Sequence, residues 1–364
     1  MALILTFLGS ENTDRTVCAI AFAKRLAADG KRVLLAFQDP GPAPGLLLGQ
    51  PLTADPSPAG DNLQAVQFQS AVLLERSWDE VKGIEAQYLR TPILKSVYGQ
   101  ELGVLPGMDS ALALNALRLY DGSGAYDAIV YDGTGDLTTL RMLGMPEVLD
   151  WYVRRFRDVF QQSDLVKTVA PFIQPVAATV LAVDWSGNPW DRPTGEVQSI
   201  LAQGRAAIND PNRMLALLVT GTSESAIATT RYRWGSAQQV GLSVGGVLLS
   251  GDSAAAESAF TPLPVHSLPS LVEPDWQALM AALPDVQSLA QSAPRPVTID
   301  TAAKTVSLFL PSFDKSQIKL IQSGPEVTIE AGDQRRNLLL PPALAGRPVK
   351  GAKFQEQHLV LSFG

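Results

Sequence analysis

The sequence has 364 residues, of which 46% are hydrophobic and 18% charged, the composition of an ordered globular protein. This length allows one large domain and a smaller one. The net charge of −7 argues against nucleic acid as a partner and against docking on an anionic membrane by charge. The single cysteine, Cys18, excludes an intrachain disulfide and a multi-cysteine zinc site, and two histidines are too few for a histidine-rich metal centre. We expect Cys18 to be a small buried residue.

No apolar stretch reaches the roughly 18 to 20 residues that a membrane-spanning helix needs. The first residues already have the pattern of a strand, and no basic leader with a cleavage site precedes them. The sequence therefore predicts a soluble cytoplasmic protein that does not itself span a membrane.

Strands and helices alternate over the first 285 residues. A strand at 3–8, a helix at 17–28 and a strand at 32–37 predict a βαβ unit with parallel strands. The Pro- and Gly-rich residues 41–60 predict a long surface loop. Further predicted strands are 63–68, 126–132, 177–183, 215–219 and 246–249, and further helices are 70–94, 110–120 and 137–166, the last with Pro146 in a helix-start position. This alternation predicts an α/β fold with a doubly wound, mostly parallel sheet.

Beyond residue 296 the hydrophobic residues occupy every second position. They are Val306, Leu308, Leu310, Val327, Ile329, Leu338, Leu340, Leu359, Leu361 and Phe363. A period of two is typical of strands with one buried face, so this part predicts a small all-β sandwich. We therefore expect a domain at 1–285, a linker at 286–296 and a β domain at 297–364.

The turn at residues 9–16 stands where a phosphate-binding loop belongs, between a buried strand and a helix. Compared with the pattern G-x-x-x-x-G-K-[ST], it keeps Gly9 and Thr16, with Asp14 at the second glycine and Arg15 at the lysine. Asp14 and Glu11 place negative charge beside a phosphate site, and a planar guanidinium is no neutral replacement for an ammonium group. Taken alone, the segment favours an ordinary βα turn, in which Arg15 pairs with a nearby aspartate, over a phosphate-binding loop.

Two acidic strand ends favour the phosphate-loop interpretation. Asp39 follows the second strand and Asp132 ends the strand at 126–132. Since the carboxyl ends of parallel strands line one crevice, Thr16, Asp39 and Asp132 are expected together. Asp132 and the Thr16 hydroxyl would hold Mg²⁺, and Asp39 would orient or deprotonate the attacking water. Alternatively, each aspartate simply starts a turn.

Residues 7–16, 31–40, 48–52 and 126–143 resemble the arsenite-pump and tail-anchored-protein-targeting ATPase family, and the resemblance covers residues 1–285. Residues 327–344 and 351–354 resemble a small-heat-shock (α-crystallin) domain. The pairing is similar to a branch of the family found in photosynthetic bacteria and plastids, and it is more specific than either half.

The resemblance implies a P-loop ATPase that binds ATP and Mg²⁺ and works as a homodimer. It makes residues 133–141 the second nucleotide-sensing switch and implies Asp39 and Arg15 as catalytic residues and Thr16 and Asp132 as the metal site. The implied nucleotide-binding residues are Gly9, Ser10, Glu11, Asn12, Thr13, Asp14, Arg15, Thr16 and Ser250. The sequence departs from the family at Ser10, where a signature lysine is expected, and at Ser250, where an asparagine reads adenine. The Cys-x-x-Cys zinc clamp of the eukaryotic members is missing.

The resemblance also places a helical subdomain that binds hydrophobic transmembrane-helix clients at residues 137–213. Its predicted apolar face consists of Met142, Met145, Leu149, Tyr152, Val153, Phe156 and Phe160, to which Trp185 and Trp190 add two aromatic rings. This face equally suits a client groove or internal packing. Two functions stay open: a slow ATPase that targets tail-anchored proteins, and an inactive pseudo-ATPase that acts as a chaperone. An arsenite-responsive enzyme is disfavoured because Cys18 alone cannot build a multi-thiolate site.

Overall fold

The computed structural model describes residues 1–9, 12–88, 96–162 and 194–364. Its described residues form an eight-stranded sheet and two smaller sheets. The strands of the large sheet are β1 Leu3–Gly9, β2 Val33–Phe37, β3 Ser57–Gly60, β4 Leu63–Gln67, β5 Ala128–Asp132, β6 Met214–Thr220, β7 Val244–Ser250 and β8 Val265–Leu268.

The large sheet has the order β3-β4-β2-β5-β1-β6-β7-β8. Only β3 and β4 pair antiparallel among its neighbouring strands, and the central strands β2, β5 and β6 are buried along their whole length. Strands buried on both faces are continuous apolar runs, which explains why β1 and β6 contain almost no polar residue. The predicted mostly parallel α/β sheet is confirmed.

Helices cover both faces of this sheet. They are α1 Asn12–Ala28, α2 Ala43–Leu48, α3 Ser70–Tyr88, α4 Met108–Gly122, α5 Leu137–Gln162, α6 Thr194–Asn209, α7 Glu224–Gln239, α8 Ala254–Ala259, α9 Trp276–Ala282 and α10 Val286–Ser292. Short 3₁₀ turns lie at Gly99–Glu101 and Lys315–Gln317. One core contains residues of α1, α9 and α10, and the other contains residues of α4, α5 and α7.

Several local predictions differ from the structure. Residues 41–60, predicted as a loop, contain helix α2 and strand β3. Pro146 lies inside α5 and does not start it, because the helix already begins at Leu137. The first part of the predicted linker at 286–296 is helix α10, whose Val286 and Leu289 are buried. The predicted strand at 177–183 lies outside the described residues.

The C-terminal region consists of two antiparallel sheets around its own apolar core. Its strands are β9 Val297–Asp300, β10 Thr305–Phe309, β11 Ile318–Ser323, β12 Glu326–Ala331, β13 Gln334–Leu339, β14 Val349–Gln355 and β15 His358–Phe363. The sheets have the orders β14-β15-β10-β9 and β11-β12-β13. All residues of the predicted two-fold pattern are buried except Leu338, which is half-buried, so the all-β prediction is confirmed.

Buried and partly buried polar contacts join this β region to the helices of the main sheet. Arg336 of β13 pairs with Glu147 of α5, its Nη1 donates to the carbonyl of Gln238 at 3.2 Å, and its Nη2 donates to Asn209 at 3.2 Å. The indole of Trp151 on α5 donates to Glu326 of β12 at 3.0 Å. Because α5 and α7 both begin at the carboxyl edge of the large sheet, the β region is attached to the helices that leave that edge.

Candidate nucleotide site

Gly9 ends the central strand at the carboxyl edge of the sheet. A Cβ atom at this position would lie 2.0 Å from the carbonyl oxygen of Val219 on the neighbouring strand, so no other residue fits. Ser10 and Glu11, two of the implied nucleotide-binding residues, lie outside the described residues. Helix α1 begins at Asn12, so Asn12, Thr13 and Asp14 belong to its first turn. An acidic residue there is favourable to the helix dipole, which gives Asp14 a structural role.

Thr16 and Asp132 meet below this loop. The Thr16 hydroxyl donates to Oδ2 of Asp132 at 2.6 Å, and the two residues are only 9% and 4% exposed. Asp132 ends β5, next to β1 in the sheet, so the parallel register brings together two residues that are 116 positions apart in sequence. Of the three residues expected together, Thr16 and Asp132 thus lie in direct contact at this sheet edge.

The environment of Asp132 opposes its negative charge. Burial raises the pKa of this carboxyl from 3.8 to about 6, against the hydrogen bond from Thr16 and the charge of Arg15, while the charge of Asp39 adds to the increase. Oδ1 of Asp132 is buried and has no hydrogen-bond partner among the described residues. A buried carboxylate in this state gains most from a cation that replaces the missing partner.

The Arg15 side chain is buried and faces backbone carbonyl groups. Its Nη1 donates to the carbonyl of Gly9 at 2.9 Å and its Nη2 to that of Gly133 at 3.5 Å. Gly135, with a φ of +64°, packs against the guanidinium so closely that a Cβ atom there would lie 2.2 Å from Nε. In these contacts the guanidinium ties the start of the loop to the segment after β5.

Asp39 lies exposed just beyond β2. Its Oδ1 accepts a hydrogen bond from the backbone N–H of Gly41 at 2.8 Å, so it does start a turn. The side chain of Gln67 holds this turn by donating to the carbonyls of Asp39 and Gly41, both at 2.8 Å. The charge of Asp39 also contributes to the raised pKa of Asp132. Asp39 therefore both starts a turn and lies near the candidate magnesium ligand.

The segment after β5 is fixed by its own side chains. Oδ1 of Asp136 accepts hydrogen bonds from the Thr134 hydroxyl at 2.6 Å and from the N–H of Thr138 at 2.8 Å. Burial raises the pKa of Asp136, but these hydrogen bonds outweigh it and leave the pKa below its ordinary value. The N–H of Gly9 donates to the carbonyl of Gly135 at 3.1 Å, which ties this segment to the loop.

Sequence reasoning missed Arg233 on α7. Its Nη1 donates to the carbonyl of Gly9, the same oxygen that Arg15 contacts. Burial lowers the pKa of this guanidinium, and the charge of Asp136 opposes that effect. Arg233 is 224 positions from Gly9 in the sequence, and its helix shows no local signal that points to this site. The predicted adenine-side residue Ser250 ends β7, two strands from β1 on the same edge.

These residues fit a magnesium–phosphate ligand more closely than a metal held by protein alone. The described part of the chain gathers no group of three or more histidine, cysteine or carboxylate side chains that could hold a metal ion. Mg²⁺ needs less, because it keeps several waters and takes one or two carboxylates together with phosphate oxygens. Asp132 and Thr16 supply that minimum. Cys18 is buried in the core, as predicted, and is removed from such chemistry.

None of the described helices is both long and apolar enough to cross a bilayer.

The P-loop class of nucleotide-binding proteins is defined by a strand–turn–helix unit at the centre of a parallel sheet. In this class a threonine of the first helix lies beside an aspartate at the end of the strand that neighbours the first one in the sheet, as Thr16 and Asp132 do here. The comparison with family models is consistent with this class. Residues 4–251 match the model of the anion-transporting ATPase, and residues 302–363 match the HSP20-like domain found in ArsA. The chain therefore belongs to the anion-transporting ATPase family and carries the HSP20-like domain associated with it.

Similar proteins cover almost the whole chain. A Chlorobaculum tepidum protein named "Putative arsenical pump-driving ATPase" is 24% identical over 99% of this chain and 95% of its own length. A Prosthecochloris vibrioformis protein of the same name is also 24% identical, over the same shares. "Putative arsenical pump-driving ATPase 1" of Aquifex aeolicus is 21% identical over 98% of this chain and 99% of its own. The α-crystallin-like tail is thus part of a shared architecture.

Proposed function

We propose that this protein binds Mg·ATP weakly and hydrolyses it slowly in the cytoplasm. The observation that supports this best is the 2.6 Å hydrogen bond between Thr16 and Asp132, beside a buried carboxylate oxygen that has no hydrogen-bond partner among the described residues. Thr16 and Asp132 would hold the magnesium, and Asp39 would orient the attacking water. A bound magnesium ion neutralises charge that develops on the phosphate oxygens.

The same site explains why binding and turnover are expected to be weak. Arg15 donates to the carbonyls of Gly9 and Gly133, so part of its hydrogen-bonding capacity is spent on the protein. A phosphate group would have to compete for these donors, and it would also meet the negative charge of Asp14. Electrostatic stabilisation of a phosphoryl group needs donors that are already aimed at it.

The test compares Mg·ATP binding by calorimetry and steady-state hydrolysis in four proteins: wild type, Asp39→Asn, Arg15→Ala and the control Asp29→Asn. We expect Asp39→Asn to bind Mg·ATP but lose hydrolysis, and Arg15→Ala to lose affinity. Asp29 lies exposed beyond α1, so its variant should behave as wild type. If none of the four proteins hydrolyses ATP, the proposed ATPase activity is excluded.

A second candidate function is a pseudo-ATPase that works as a chaperone module. The observation in its favour is that two guanidinium groups, from Arg15 and Arg233, donate to the same carbonyl of Gly9. The protein itself thereby uses positive charge that an ATPase would direct to phosphate. Mg·ATP binding without any turnover, or no binding at all, would favour this candidate.

The proposal includes a dimer that shields hydrophobic helices of tail-anchored membrane proteins. Support comes from the family and from two exposed apolar side chains on α5, Val148 at 42% and Tyr152 at 50% exposure. Met142 from the predicted face instead packs in the core, 1% exposed, under the hydroxyl of Tyr131. The side chains of Phe156 and Phe160, and all of residues 163–193, lie outside the described part of the chain.

Two measurements test this part. Sedimentation with and without Mg·ATP should give a dimer, and a monomer at all concentrations would contradict it. Co-purification with a model tail-anchored helix should fall in Val148→Lys and Tyr152→Lys. Val272→Lys is the matched control, because Val272 is 78% exposed on the loop after β8. Equal loss in the control would mean that the capture is nonspecific.

A further inference from the structure

A cavity of about 230 Å³ lies between α4, α5 and α6. It is bordered by Ile4 near the start of β1 and by Met214, the first residue of β6. It is therefore at the amino edge of the sheet, opposite the edge that carries Thr16 and Asp132. Its apolar lining residues include Leu114, Leu117, Leu143, Met145, Leu149 and Leu201.

The contact between two helices accounts for the position of this cavity. At Gly204 of α6, a Cβ atom would lie 2.9 Å from Cγ of Pro146 on α5, so a larger residue would force the helices apart. Ala207 follows one turn later and also borders the cavity. Residues three apart share one helix face, so two small side chains in succession leave the space beside Pro146 unfilled.

Such a space selects apolar ligands. Protein interiors are packed to the density of organic crystals, and an apolar void of about 150 Å³ stays dry and binds benzene. A helix about 10 to 12 Å across does not fit a cavity of 230 Å³, so a helical client cannot occupy it, although Met145 and Leu149 of the predicted client face line it. A single hydrocarbon chain of about ten carbons is a ligand of matching size and polarity.

The charges at the rim favour an anionic head group. Asp121 accepts hydrogen bonds from Arg213 at 2.8 Å and from the N–H of Ala2 at 2.7 Å, so its carboxylate is already neutralised. Arg118, exposed on α4, donates only to the neutral Asn115 amide oxygen, at 3.1 Å from Nε and 2.8 Å from Nη2. Among the described residues no carboxylate pairs with Arg118, so its positive charge is not compensated by an ion pair there.

We propose that this cavity binds a single-chain carboxylate of the medium-chain fatty-acid class. The hydrocarbon chain occupies the space beside Pro146 and Ala207, and the carboxylate pairs with Arg118 at the rim. Neither ATP nor a partner subunit is required, so the proposal stands independently of the function proposed above.

Methionine methyl groups report on this site in the full-length wild-type protein. Met1, Met145 and Met214 line the cavity, whereas Met108 and Met280 do not. The buried or half-buried Met214 and Met145 are the reporters. Titration with decanoate, followed by NMR of ¹³C-methyl-labelled methionine, should shift the Met145 and Met214 signals saturably and leave Met280 unchanged. No shift at the two cavity residues, or an equal shift of every methionine, would overturn the proposal.

Three variants then separate the chain site from the head-group site. By calorimetry, Arg118→Gln should weaken decanoate binding at least tenfold and leave decanol binding unchanged, and decyltrimethylammonium should bind the wild type more weakly than decanoate. Ala207→Phe should abolish binding of decanoate and decanol, while Ala206→Phe, at an exposed neighbouring position, should not. Wild-type affinity in Ala207→Phe would overturn the proposal, and the methyl titration decides the matter if that variant does not fold.

Discussion

The hydroxyl of Thr16 donates to Oδ2 of Asp132 at 2.6 Å, which joins helix α1 to the end of β5. This one hydrogen bond stabilises the charged form of a carboxyl group that burial otherwise disfavours. The Asp132 carboxyl can therefore lose its unfavourable charge either by binding a proton or by binding a cation.

Asp132→Asn should stabilise the protein at neutral pH. The pKa of Asp132 is raised from 3.8 to about 6, so the folded state binds the proton more tightly than the unfolded state does. Its contribution to stability is fully present below pH 3.8 and is lost as the pH rises through about 6. The amide keeps an acceptor for Thr16 and carries no charge, so the free energy of unfolding at pH 7.5 should rise by up to about 3 kcal/mol.

Urea unfolding at several pH values measures this effect. The advantage of Asp132→Asn should shrink between pH 6 and 4 and vanish below, while Asp29→Asn should show no such trend. An advantage that does not change with pH would contradict the assignment.

Gly135→Ala should be far more costly than the same change at Gly124. The two glycines have nearly equal φ values, +64° and +67°, but only Gly135 lies against the Arg15 guanidinium. Gly124→Ala should cost about 1 to 2 kcal/mol for the left-handed backbone. Gly135→Ala should cost a further 1 to 3 kcal/mol or so for overpacking.

A double-mutant cycle with Arg15→Ala isolates the contact. If Arg15 is the obstacle, the extra cost of Gly135→Ala should disappear in the Arg15→Ala background. If Gly135→Ala costs the same in the Arg15→Ala background as in the wild type, the Arg15 guanidinium is not the group that the added methyl contacts.

Arg336→Met should loosen the junction between the β region and the main sheet. The Arg336 side chain is 4% exposed and is the shared partner of Glu147, Asn209 and the Gln238 carbonyl. Its loss leaves a largely buried carboxylate unpaired, which costs about 3 to 5 kcal/mol. The control is Arg335→Met at the neighbouring position. Arg335 pairs with Glu330, but its side chain is 65% exposed, so the loss of this ion pair should cost less than about 1 kcal/mol.

Thermal unfolding distinguishes the two variants. A large drop in Tm for Arg336→Met alone supports a junction that carries stability. Equal, small effects would mean that the two parts of the chain are held by apolar contacts such as Trp234 against Phe309.

Cys18 should be chemically inert in the folded protein. Burial, helped by the charges of Asp14 and Asp132, raises the pKa of its thiol far above the usual range, and only the thiolate is nucleophilic. Iodoacetamide at pH 8 should label native protein at least a hundredfold more slowly than protein in urea. Fast native labelling would show that α1 opens readily, and Cys18→Ala serves as the blank.

Much of the site was visible in the sequence. The phosphate-loop pattern predicts Gly9 and Thr16. Asp39 and Asp132 are predicted from their places at strand ends, which in a parallel sheet share one edge. What each side chain contacts was not visible. Asp39 caps its own turn through the N–H of Gly41, and Arg15 donates to carbonyl groups, because local backbone geometry competes with ligand binding for the same polar atoms.

The sequence by itself determined the fold class and the β-strand tail, because hydrophobic periodicity records which face of each element is buried. It also marked Cys18 as a core residue. Only the tertiary structure decided that Arg233 reaches Gly9 across 224 positions, that Arg336 is buried in the junction, and that Gly204 meets Pro146 beside a cavity. Such contacts depend on how elements pack in three dimensions, and the pattern of residues within a single element does not record its neighbours.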